Sequence, residues 1–159
     1  MKSDLEDFFK IIKPSDTVIV GIGNTLKGDD GAGSILSERL IRLTDNLSVL
    51  DAGSVPENFI GKIITLNKPV LIFADALDFG GKPGEVKIFS MDEIYDGNVA
   101  THSFSIGFLT DLICSEIECH CYLLGIQPFS MKMGEALSEP VRIALDRITT
   151  LISSWTAKK

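Results

Sequence analysis

Three stretches of this 159-residue chain carry side chains that could do chemistry. The first is a glycine-rich loop, GIGNTLKGDDG at 21–31, which ends in two adjacent carboxylates, Asp29 and Asp30. The second is Asp75, set directly behind the apolar run VLIFA at 70–74. The third is His102, at the expected start of a helix. In open α/β sheets, ligands bind beyond the carboxyl ends of the strands. The loop and Asp75 both fall there, and His102 can reach the same rim. A carboxylate that follows a buried strand is partly desolvated and needs a partner. One of the two loop carboxylates, Asp75 and His102 would form an O,O,N ligand set with open positions, suited to nickel, zinc, manganese or iron. The bland alternatives are a structural ion pair for Asp75 and helix capping for Asp29 and Asp30.

Other chemistries fit less well. A dinucleotide fingerprint needs a third glycine where Leu26 stands, and a P-loop needs G-K-[ST], which is absent. Two aspartates ahead of a helix would also repel a phosphate. Cys119, His120 and Cys121 invite a metal reading. On a strand, however, the two cysteines share one face and the histidine takes the other. These three residues cannot share an ion, and ordinary buried thiols are expected. The aromatics and methionines are expected in the core.

The elements that must position these residues follow from hydrophobic periodicity. Continuous apolar runs at 17–22 and 70–74 predict central strands buried on both faces. Further strands are expected at 47–51 and 119–126. The alternating segment 85–89 predicts an antiparallel edge strand. Helices are expected at 3–12, after the glycine-rich loop (Ala32, Ile35, Leu36, Leu40 and Leu43), and at 57–66. Another is expected at 102–116, with Phe108, Leu109, Leu112 and Ile113 inward, and a last one from Pro140, with Val141 to Trp155 forming a stripe. Residues 95–101 read as a loop. Alternating strands and helices define a three-layer α/β/α single domain spanning 1–159, with about five strands, mostly parallel.

Composition narrows the function classes. The net charge of -7, with no basic patch, argues against nucleic-acid binding. The acidic N-terminus does not resemble a signal peptide, and no apolar run is long enough for membrane insertion. Three cysteines suit a reducing cytoplasm. A cytoplasmic protein is therefore expected.

The ordered motifs resemble those of the hydrogenase maturation proteases. They are GIGNTLKGDDGAG at 21–33, DAGSVPEN at 51–58, FADA at 73–76, PGEV at 83–86, TH at 101–102 and LGIQP at 124–128. The second and last are most similar to the branch serving energy-converting hydrogenases. The resemblance implies an endopeptidase that removes the C-terminal extension of a nickel–iron hydrogenase large-subunit precursor after nickel insertion. It implies that Asp30, Asp75 and His102 bind nickel supplied by the precursor and act in cleavage, and that Gly53 adjoins the substrate cleft. Many family members have glutamate where this chain has Asp30. Asp29 is expected to be a less sensitive acid, either capping a helix or supporting the site from behind its ligands. Two other functions are a metal-dependent hydrolase of a small substrate and a non-catalytic nickel-binding module.

Overall fold

The computed structural model describes residues 4–95 and 103–158. An interior strand, β1 (Thr17–Ile22), is buried at all six positions. Beside it lie β2 (Ser48–Gly53) and β3 (Val70–Ala76), followed by β5 (His120–Ile126) and, at the edge, β4 (Val86–Ser90). The order is β2-β1-β3-β5-β4. Only β4 is antiparallel, pairing with β5 from Val86–Ile126 to Ser90–Tyr122. The five strands, mostly parallel, and the antiparallel edge strand are those the sequence predicts, although Phe89, on the same side as the exposed Lys87, is buried.

Side-chain alternation along the strands divides the interior into two cores. Ile19, Ile72, Ala74 and Leu124 face α1 (Asp4–Ile11), α2 (Ala32–Leu43) and α6 (Glu139–Ala157). Val18, Val20, Phe73 and Leu123 face α3 (Ile60–Leu66), α4 (Met91–Tyr95) and α5 (Ser103–Glu116). The stripe expected on α6 is buried at Val141, Ala144, Leu145, Ile148, Ile152 and Trp155. Trp155 also donates its indole N–H to the Ile12 carbonyl at 3.2 Å, tying α6 to the N-terminal helix.

Three local expectations change. The helix expected at 57–66 is a 3-10 turn over Pro56–Phe59, and α3 proper starts at Ile60. Proline opens that turn because its missing N–H lies where none is needed. On α5, Phe108 is 67% and Leu112 42% exposed, whereas Ile106, Leu109 and Ile113 are buried. This helix is apolar on nearly every side, so periodicity does not single out its inner face. Leu43, at the last position of α2, and Phe129, Met131 and Met133 are likewise exposed instead of lying in the core. The expected loop at 95–101 lies, from residue 96 on, outside the described residues.

The chain crosses from β2 to β3 over β1, so the strand order reverses between β1 and β3. That reversal opens a crevice at their carboxyl ends. Close packing of α2 fixes its walls. A Cβ placed on Gly33 would run into the carbonyl oxygens of Ile22 and Ala74. Gly33→Ala should therefore cost about 1–3 kcal/mol by overpacking, read as a lower melting midpoint by calorimetry.

Candidate active site

The crevice holds a cleft of about 310 Å³ whose wall includes Asp30, Asp75, Asn24, Lys27, Glu57 and Ile106. Each residue arrives there for a local reason. Asp75 is the sixth residue of β3 and follows Leu71 and Phe73 in the alternation that points toward α5. Asp30 lies in a 3-10 turn over Gly28–Gly31, just ahead of α2. Its Oδ2 accepts a hydrogen bond from the Asn24 N–H at 3.1 Å, which closes the glycine-rich loop on itself.

The electrostatics of the pair are unfavourable for two charges. Asp75 is 8% exposed. Burial pushes its carboxyl well above the ordinary range, and the negative charge of Asp30 pushes it further. A hydrogen bond from the backbone of Ala76 opposes both. A cation between the two carboxylates would relieve this repulsion, so the oxygen donors present fit a divalent metal. The same raised carboxyl is a better proton acceptor than an exposed aspartate.

Among the expected site residues, Asp30 and Asp75 are brought together. His102 lies outside the described residues. The helix that follows it, α5, begins at Ser103, and Ile106 of its first turn is on the cleft wall. Gly53 shapes the rim from behind, and its neighbour Ser54 is on the wall. The Gly53 carbonyl accepts from the Gly23 N–H at 2.8 Å, and its own N–H donates to Asp51 at 3.2 Å. At φ 57° the residue is left-handed, which favours glycine there.

Of the two roles expected of Asp29, it takes the supporting one and not the capping one. It caps no helix: Gly31 stands at the N-cap of α2, with no side-chain cap. Asp29 is completely buried. Its carboxylate accepts from the N–H groups of Phe129, Ser130 and Ser138 at 2.8, 3.1 and 2.7 Å, and from the Ser138 hydroxyl at 2.8 Å. It therefore pins the loop after β5 to the loop that carries Asp30.

Sequence reasoning also missed Glu57 and Lys27. The strand-end rule was applied to β1 and β3; applied to β2 as well, it would have pointed to Glu57, six residues past Asp51. The motif at 124–128 is structural. The Gln127 side-chain oxygen accepts from the N–H groups of Phe79 and Gly81 at 2.9 and 3.1 Å, and its amide donates to Asp78 at 3.1 Å. That amide holds the Asp78 carboxyl below its ordinary range.

Fold and cleft together define a class: an α/β domain whose acidic site sits at the switch point of a doubly wound sheet. Comparison with known proteins narrows it. Residues 35–155 match the family model described as hydrogenase maturation protease, a span that includes Asp75 and His102 but not Asp30. The chain is 33% identical over 140 residues to the hydrogenase 3 maturation protease of Escherichia coli, covering 87% of this chain and 89% of that one. It is 32% identical over 162 residues to a putative hydrogenase maturation protease of Methanocaldococcus jannaschii, covering 96% and 94%. The crystal structure of a [NiFe] hydrogenase maturation protease from Thermococcus kodakarensis superposes with a TM-score of 0.86 at 32% identity, covering 98% of this chain and all of that one. The chain belongs to the hydrogenase maturation protease family, and it is a peptide-bond hydrolase. No helix among the described residues is long and apolar enough to cross a membrane.

Proposed function

We propose that the protein trims the C-terminal extension of a nickel–iron hydrogenase large-subunit precursor once nickel has been inserted, with that nickel as the feature it recognises. The observation that carries this reading is the convergence of Asp30 with a buried Asp75 in one cleft. Two carboxylates that repel each other across a cleft favour a cationic substrate group. His102, immediately ahead of α5, would complete an open three-ligand set. Such a set lacks the closed tetrahedral shell of a structural ion, so nickel would be held firmly only with the precursor's own ligands added.

When bound, the nickel would supply charge stabilisation to the peptide carbonyl. Asp75, whose carboxyl burial raises above its ordinary range, would take the proton of an attacking water. Asp30 would orient the substrate from the facing loop. Gly53 would leave room for the precursor chain beside the rim, since a Cβ built there meets nothing within 4 Å. The reaction would take place in the cytoplasm.

The test is a two-by-two assay on nickel-loaded and nickel-free precursor, with and without nickel in the buffer, read by intact mass. Cleavage should follow nickel in the precursor, and the resting enzyme should hold little metal by elemental analysis. Asp30→Asn and His102→Ala should each slow cleavage by about a hundredfold or more. Equal cleavage of nickel-free precursor would remove nickel from recognition. Turnover of small esters or amides by enzyme with a tightly bound metal would favour a small-substrate hydrolase, and binding without shortening would favour a nickel-binding module.

A further inference from the structure

At the opposite end of the sheet from the cleft, three thiols meet. Cys114 comes from the last turn of α5, Cys119 from the turn that follows, and Cys121 from the start of β5. Their Sγ atoms are 2.9 Å (Cys114–Cys119), 3.5 Å (Cys114–Cys121) and 3.7 Å (Cys119–Cys121) apart. As expected from strand alternation, Cys119 and Cys121 share a face. The third partner is Cys114 instead of His120, and the cysteines are not uniformly buried: Cys114 is exposed, Cys119 half-buried and Cys121 buried.

We propose that Cys114, Cys119 and Cys121 form a three-thiolate site for a soft, filled-shell divalent cation, with zinc as its ordinary occupant. Zinc–sulfur bonds of about 2.3 Å at tetrahedral angles place the sulfurs about 3.8 Å apart. Two of the three observed separations are already within 0.3 Å of that value. The third is short, and it involves the exposed Cys114, whose side chain has room to swing outward. The cluster opens on a cavity of about 350 Å³ that includes Asp92, Asp111 and His120 in its wall. That cavity gives the ion a path in and leaves the fourth position for water. On binding, three S–H bonds break, three zinc–sulfur bonds form, and three protons pass to solvent.

A disulfide between Cys114 and Cys119 is the competing chemistry. It would use only two of the three sulfurs and would need an oxidant. The chelate joins the end of α5 to the start of β5, and α5 is the helix whose first turn reaches the cleft. This site does not depend on the nickel reading of the rim.

The experiment uses the full chain, reduced and stripped with a chelator, in an Asp30→Asn/Asp75→Asn background that silences the rim carboxylates. Cobalt(II) is titrated first and then displaced with zinc. The expected result is one equivalent of cobalt with a sulfur-to-metal charge-transfer band, bleached by one equivalent of zinc, and a higher melting midpoint with zinc. Cys114→Ser, Cys119→Ser and Cys121→Ser should each weaken cobalt binding by about a hundredfold or more. Cys114 is exposed, so its serine variant should keep a cooperative melt and makes the test independent of folding. Absence of the charge-transfer band, undiminished binding in the three serine variants, or ready air oxidation of Cys114 and Cys119 in the presence of zinc would each overturn the proposal.

Discussion

Asp75→Asn is expected to lower precursor cleavage by about a thousandfold and, in the same protein, to raise the melting midpoint. The two effects share one cause. Burial is the larger reason the Asp75 carboxyl is raised above its ordinary value of 3.8, and the charge of Asp30 adds to it. A group raised on folding holds more protons in the folded chain than in the unfolded one. Stability therefore falls as pH rises from the unfolded value through the folded one, and stays reduced above both. Asparagine keeps the shape and removes the titration. In metal-stripped protein the variant should gain on the parent as pH rises from acid to neutral. A gain of about 0.5–2 kcal/mol at neutral pH is the usual size for relieving such a site. It corresponds to about 2–4 °C per kcal/mol for a chain of this length. Calorimetry across pH, paired with intact-mass kinetics, measures both. A variant that melts lower than the parent at neutral pH would show that the charge of Asp75 is compensated in the fold. Near-normal cleavage would remove it from the site.

The sheet and its switch point were legible because the signals there are one-dimensional. TVIVGI and VLIFA are apolar throughout, as strands covered on both faces must be, and their ends bring the loop carboxylates and Asp75 to one rim. The edge strand was legible because Lys87 falls between Val86 and Ile88, an alternation that gives the strand one apolar face. Legibility stopped where a third dimension decides. Nothing local separates Asp29 from Asp30; the difference comes from donors about a hundred residues away in the loop after β5. Cys114 looked like one helical position among others, because the angle between the end of α5 and β5 is set by packing. Phe108 and Leu112 could not be assigned to the outer face of a helix with no polar side strong enough to orient it. Phe129, Met131 and Met133 carry core-type side chains but sit in a loop held in place by Asp29 and by the Gly134 N–H on the Leu26 carbonyl, and that loop leaves them in solvent.

Asp29→Ala should be the most damaging single substitution to the fold of the site, in contrast with its neighbour Asp30. Four hydrogen bonds end on this buried carboxylate, three of them from backbone N–H groups that have no freedom to turn away. Removing an acceptor leaves buried donors unpaired, at about 1–3 kcal/mol each before the loop relaxes toward water. A net loss of about 3–5 kcal/mol is expected, a large part of a typical total of about 5–15 kcal/mol. Asp29→Asn should lie between parent and alanine. Its amide oxygen can still accept, but its NH₂ group faces donors. Two further backbone contacts, Gly28 N–H to the Glu135 carbonyl at 3.0 Å and Asp29 N–H to the Ser130 carbonyl at 2.9 Å, keep the loops in register, so the change is a weakened clasp instead of a lost element. Since Asp30 is the next residue, cleavage should fall with stability and recover in part on cooling. Asp75→Asn should show the opposite pattern: a stable protein that stays inactive at every temperature. Thermal melts and cleavage rates at two temperatures for both positions separate a residue that shapes the loop from one that does chemistry. An Asp29→Ala protein with parental melting would mean that the loop after β5 is held by other contacts, and that the buried carboxylate has a role in the reaction itself.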